Sequence, residues 1–154
     1  MIVRPASVNR VTLVALALVL TAGVITVLTW VFSDDLLTSW AEGNSGARVI
    51  LQEGGLDAVR ETLTVPAFVP VAITSFVVFS MLVGVLVAFF VEGFTWARLS
   101  LAVIAVFGVF LAVLCVASGI PTLFVVMAVL MIVLCLLLLF FLFHKDTSRY
   151  FRES

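Results

Sequence analysis

Residues 121–143 read PTLFVVMAVLMIVLCLLLLFFLF, without one charged side chain. A helix of this length, rising 1.5 Å per residue, covers a hydrocarbon core of about 30 Å. Lipid offers no partner to a free backbone N–H or C=O, so a helix, which pairs them within the segment, is the expected conformation. The in-out alternation of a membrane barrel strand is absent.

The same pattern recurs outward from this stretch. Residues 97–117, 65–91 and 11–32 form three more apolar runs of sufficient length, with Arg98 at the rim of the third run in chain order. The chain of 154 residues is 64% hydrophobic and 11% charged, with a mean hydropathy of +1.37. Soluble domains carry roughly 25% charged residues, and one of this size has no interior large enough to hide so much apolar surface. Four spans and one loop use nearly the whole length, so a separate soluble catalytic domain is not expected. Ser118-Gly119-Ile120-Pro121-Thr122 and Glu92-Gly93-Phe94-Thr95-Trp96 are short links, which make the last three spans sequential antiparallel neighbours. The expected fold is all-α: a single membrane domain, residues 1–154, built as a four-transmembrane-helix bundle. It carries a short amphipathic, partly helical extracytoplasmic loop at 33–64 and a cytoplasmic tail at 144–154. The first run is longer than a usual signal-peptide core, and Leu20-Thr21-Ala22 is a poor cleavage site, so it is expected to stay as a span.

Orientation follows from Lys and Arg near the span ends. Arg4, Arg10, Arg98, Lys145, Arg149 and Arg152 fall on one side; Arg48 and Arg60 fall on the other, in the long loop. The first side is therefore expected to be cytoplasmic, with both termini there. Arg over Lys, with many Val, Ala, Leu and Gly, suggests a GC-rich bacterial genome and hence an inner (plasma) membrane. In the loop, Asp34 to Trp40 follows the first span, Glu42-Gly43-Asn44-Ser45-Gly46 is turn material, and Gly54-Gly55 should break a short helix begun at Ala47. Leu56, Val59 and Leu63 recur at i, i+3 and i+7 on one helical face. They either lie on the membrane surface or form a partner surface. Trp30, Trp40, Trp96, Arg98, Arg149 and Tyr150 are expected interface anchors.

Reactive chemistry finds little support. Cys115 and Cys135 should differ in depth by roughly 16 Å, too far for a disulfide, and no CxxC pair suggests a thiol oxidoreductase. His144 at the end of the last span suits helix capping and has no companion ligands. Glu92 and Arg98 bracket a turn and are expected to pair across it. Mid-membrane ionisable residues, the usual mark of pumps and exporters, are missing; the small multidrug exporters carry a buried glutamate in their first span, and this chain has none. Thr21, Thr26, Thr29, Thr74, Ser75 and Ser80 are expected to bond back to their own helix carbonyls. No catalytic residue, cofactor or metal is expected, and nothing suits nucleic acid. Helix contacts are better supported: Ser80, Gly84 and Ala88, and again Gly108 and Ala112, recur every four residues, a spacing that lets helix backbones approach closely in lipid. The stripes are expected to meet another helix of this chain or of a partner. In the tail, two Arg beside two aromatics suit an anionic headgroup layer.

Three passages together resemble the small, uncharacterised four-helix integral membrane proteins common in actinobacteria. They are Pro66-Ala67-Phe68-Val69-Pro70-Val71-Ala72, Gly93-Phe94-Thr95-Trp96-Ala97-Arg98, and Ser148-Arg149-Tyr150-Phe151. The resemblance spans residues 64–154 and implies a bacterial inner membrane, with no activity and no catalytic residue carried over. The expected function is that of a non-enzymatic integral membrane protein, an accessory, assembly or modulator subunit touching other membrane or envelope components. The alternative is a small transporter or channel formed by oligomerisation.

Overall fold

The computed structural model describes residues 4–153. It contains seven helices and no strand among these residues. Four are long and apolar enough to cross a bilayer: α1 (Ala6–Val31), α4 (Phe68–Val91), α5 (Thr95–Ala117) and α6 (Thr122–Leu142). Two shorter helices, α2 (Ser33–Gly43) and α3 (Ser45–Thr62), fill the long loop, and α7 (Lys145–Glu153) ends the chain.

Local chemistry sets the helix boundaries. Pro66 holds the chain ahead of α4 extended, so that helix begins at Phe68, three residues later than expected. Pro70 falls in its first turn, where a missing N–H costs nothing. Pro121 takes an extended conformation (φ −52°, ψ 145°) and is the N-cap of α6. Gly119, with a φ of 69°, supplies the left-handed residue that turns the chain after α5. Conversely, α1 starts five residues earlier than expected, because Ser7 and Val8 of its first turn are buried against the rest of the protein. Four of the six expected hydroxyls return to their own helices: Thr21, Thr26, Thr29 and Ser80 donate to the carbonyls four residues earlier at 2.7–2.9 Å, whereas exposed Thr74 and Ser75 make no such bond among the described residues.

The four long helices close a ring in the order α1, α4, α5, α6. The α4–α5 and α5–α6 pairs are antiparallel, as their short links require, and α1 runs opposite to α4 and α6, since Val8 at its start clusters with Phe90 and Leu142 at their ends. The α4–α5 side is the least extensive contact of the ring. The α5–α6 side is close. A Cβ built on Gly108 would lie 3.1 Å from the Cys135 sulfur, and Ala105 and Ala112 continue the same face as buried residues. Without a hydrophobic force between helices in lipid, such close approach is what holds them together. Gly108→Leu is expected to destabilise the bundle by about 1–3 kcal/mol through overpacking. Gly108→Ala should cost less, and Cys135→Ala should restore part of that loss. Thermal midpoints in one detergent check the order.

The α2–α3 hairpin sits at one end of the ring, where α2 touches α1 and α4. Its small core holds Leu36, Leu37 and Ala41 from α2 with Ala47 and Val59 from α3. Asn44 caps α3: its side-chain oxygen accepts from the Gly46 and Ala47 amides at 3.1 and 3.3 Å. Asn44→Ala is expected to cost about 1 kcal/mol, visible as faster amide exchange confined to the start of α3. The expected break falls at Gly55 (φ 74°, ψ −169°), a backbone region open only to glycine. An exposed ion pair, Arg60 with Asp34, ties α3 to the start of α2.

One expectation is corrected here. The face of Leu56, Val59 and Leu63 is not free for a partner: Val59 is fully buried and the two leucines are half-buried, since α3 turns this face onto α2. The tail after residue 144 forms α7 and folds back on the bundle.

Candidate functional site

The end of the ring opposite the hairpin gathers the start of α1, the α4–α5 turn, the end of α6 and α7. The fully buried large side chains concentrate here: Val8, Val11, Phe90, Leu101, Leu138 and Leu142 lie in one apolar cluster. Toward the other end, the buried residues of α1, α5 and α6 are mostly Ala and Thr, with Phe124.

The tail helix α7 closes this end with one of its faces. Thr147, Tyr150 and Phe151 recur at i, i+3 and i+4 and point into the bundle. Thr147, fully buried, donates to the Phe141 carbonyl at 2.8 Å. The Tyr150 hydroxyl donates to the Val91 carbonyl at 2.9 Å. Both acceptors belong to the last turns of spanning helices, whose carbonyls lack intrahelical partners. The Phe151 ring lies 5.2 Å from that of Phe90. Arg98, from the first turn of α5, completes the attachment. Its guanidinium carbon sits 5.1 Å from the Phe143 ring and 5.6 Å from the Phe151 ring, and its Nη2 donates to the Ser148 hydroxyl at 2.9 Å. Among the described residues, the Arg98 Nε and Ser7 Oγ are buried here without a hydrogen-bond partner.

The opposite face of α7 is basic. Lys145, Arg149 and Arg152, with Ser148, recur at i, i+3, i+4 and i+7. Beside Phe143 and Glu153 they line an open groove of about 510 Å³. Arg149 donates to Glu153 at 2.9 Å, which pushes its pKa further up and keeps it charged. A second groove, of about 280 Å³, lies across the Phe143 ring and is lined by Thr95, Trp96, Arg98 and Leu99. One groove is polar and cationic, the other mostly apolar, and Phe143 is a wall of both.

The remaining sequence-predicted residues fall as follows. Trp30 and Trp96 are exposed and Trp40 half-buried, near opposite ends of the bundle. Arg98 does not join Glu92 across the turn; among the described residues no ion pair links them, because the guanidinium turns to α7 instead. Gly108 and Ala112 meet α6. Gly84 and Ala88 are exposed and Ser80 is half-buried; a Cβ on Gly84 would meet nothing within 4 Å, so among the described residues no helix covers Gly84. Cys115 is exposed and Cys135 buried, both as free thiols. The Nδ1 of His144 accepts from the Asp146 amide at 3.4 Å, at the start of α7. Among the described residues no three His, Cys, Asp or Glu side chains gather as a metal site. Sequence reasoning missed the docking of α7, although the spacing of Thr147, Tyr150 and Phe151 against Lys145, Arg149 and Arg152 carried the signal.

Fold and surface together define a multi-pass, all-helical membrane protein whose one end is closed by an amphipathic tail helix. No protein-family model, curated protein or solved structure matches the chain.

Proposed function

We propose that the chain is a non-enzymatic accessory, assembly or modulator subunit that contacts other components of a bacterial inner membrane or envelope, with both termini in the cytoplasm. The observation that carries this reading is the uncovered side of α4. Only Val83, Leu86 and Phe90 of its 24 residues are buried, all in the half nearer α7. In the row of Ser80, Gly84 and Ala88, Gly84 and Ala88 are exposed and Ser80 is half-buried. Lipid tails pack poorly against such a row, whereas a second helix approaches it closely. The excess of Lys and Arg at the α7 end supports the orientation, and the preference for Arg over Lys with many Val, Ala, Leu and Gly supports a bacterial source.

The test is partner-specific. A photocrosslinking residue at Val85 should capture one defined membrane protein, and Gly84→Leu should abolish that adduct while leaving the bundle's own thermal midpoint unchanged. Crosslinks to lipid alone would defeat the reading. Tags placed at Asn44 and after Ser154 should report opposite sides of the membrane.

A further inference from the structure

We propose that the paired grooves at Phe143 form a binding site for one anionic phospholipid. Its phosphate would lie on the basic face of α7, and an acyl chain would lie along α5.

The basis is the match between each groove and each part of such a molecule. Lys145, Arg149 and Arg152 present three cations on one helical face; among the described residues Glu153 lines the same groove and pairs with Arg149, and Asp146 also acts on the Arg149 charge, so the groove keeps a net positive charge. The Ser148 hydroxyl, which accepts from Arg98, still has its own proton to donate to a phosphate oxygen. A net positive groove open to the side of the bundle fits a headgroup of charge −1 or more. A neutral zwitterionic headgroup gains less there. Below it, Trp96, Leu99 and Phe143 are all exposed large apolar side chains. They flank a groove that begins where the first groove ends. The last apolar residue of α6 is Leu142, and α7 starts at Lys145. The two grooves therefore straddle the level at which hydrocarbon gives way to headgroups. An indole and a phenyl ring at that level, with cations just outside it, are the side chains that favour this interface. Arg98 stands between the grooves with its charge committed to Ser148 and two rings, so it shapes the site without occupying it.

Because Trp96 lines the acyl groove, its fluorescence reports occupancy. The full chain carrying Trp30→Phe and Trp40→Phe leaves Trp96 as the single indole. It is reconstituted in phosphatidylcholine bilayers, and palmitoyl-oleoyl lipids brominated on the oleoyl chain are added as quenchers. Brominated phosphatidylglycerol should quench at a mole fraction well below that needed for brominated phosphatidylcholine. Lys145→Gln with Arg152→Gln should weaken the preference about thirtyfold, at about fivefold for each cation near the surface. Arg4→Gln with Arg10→Gln removes the same charge from the same end of the bundle, on α1 and just before it, and should leave the preference within about twofold. Equal quenching curves for the two lipids would overturn the site. So would an equal loss in both double variants, which would make the attraction a general surface potential. Release of the lipid by millimolar inorganic phosphate would also overturn it, since the acyl groove would then contribute nothing.

Discussion

Phe90→Ala is expected to be the most damaging single truncation in the bundle, at about 3 kcal/mol, the low end of the range for buried phenylalanines in soluble proteins. The side chain is fully buried in the cluster at the α7 end and lies against the Phe151 ring. Two terms make up such a loss in water: transfer of the ring to an apolar interior, and the cavity left behind. For a spanning helix the alternative to packing is lipid, as apolar as the core, so most of the transfer term drops out. The cavity term stays, because neighbours held on four helices cannot collapse into the gap. Part of the transfer term also returns here, since undocking α7 exposes this site to the wet headgroup layer. Phe110→Ala supplies the contrast. That ring is 57% exposed on the lipid-facing side of α5, lipid refills its space, and the change should stay within about 0.5 kcal/mol, as for surface substitutions generally. Unfolding each variant by added sodium dodecyl sulfate in mixed micelles measures the pair. Equal losses would mean that packing at the α7 end does not hold this bundle together.

The spans were legible because their information is one-dimensional. An uncharged run long enough for the hydrocarbon layer has one stable conformation there, and no tertiary knowledge is needed to see it. The Gly54-Gly55 break was legible for a similar local reason, a backbone angle that only glycine adopts. The placement of helix faces was not. Ser80-Gly84-Ala88 and Gly108-Ala112 have the same spacing, yet α6 packs against Gly108 while, among the described residues, no helix covers Gly84. Spacing permits close approach without saying which helix arrives. Likewise Glu92 and Arg98 are near in sequence, but Arg98 is drawn away by two rings and a hydroxyl 45 to 53 positions further on. The tail shows the limit most clearly. Its polar composition suggests a solvated segment, and its apolar face is only Tyr150 and Phe151 with the Thr147 methyl. What fixes it is a pair of carbonyls at the ends of other helices, those of Phe141 and Val91, which no local pattern announces.

The same geometry makes Arg98 the residue on which the closure of the bundle turns. Arg98→Ala removes a hydrogen bond from a charged donor, worth about 1.5–3 kcal/mol. It also removes contacts with two aromatic faces, each about 0.5–1 kcal/mol at a partly exposed site. Against this, the variant relieves the buried Nε of its missing partner, a gain of about 1–3 kcal/mol. The net expectation is about 2 kcal/mol against docking of α7, roughly a thirtyfold shift toward the undocked state. Tyr150→Phe loses one neutral hydrogen bond, to the Val91 carbonyl, and should shift docking by about fivefold, near 1 kcal/mol. Arg98→Lys keeps the charge but loses the flat guanidinium that the Phe143 and Phe151 rings contact, so it should fall between the two. Limited trypsin digestion reads the outcome directly, since Lys145, Arg149 and Arg152 all lie on α7. Cleavage should speed up in the order Tyr150→Phe, Arg98→Lys, Arg98→Ala, while amide exchange in the middle of α5 and α6 stays at the parent rate. If Arg98→Ala is digested no faster than the parent, the carbonyl contacts of Thr147 and Tyr150 suffice to hold α7, and Arg98 is a spectator stacked beside a helix that is already fixed.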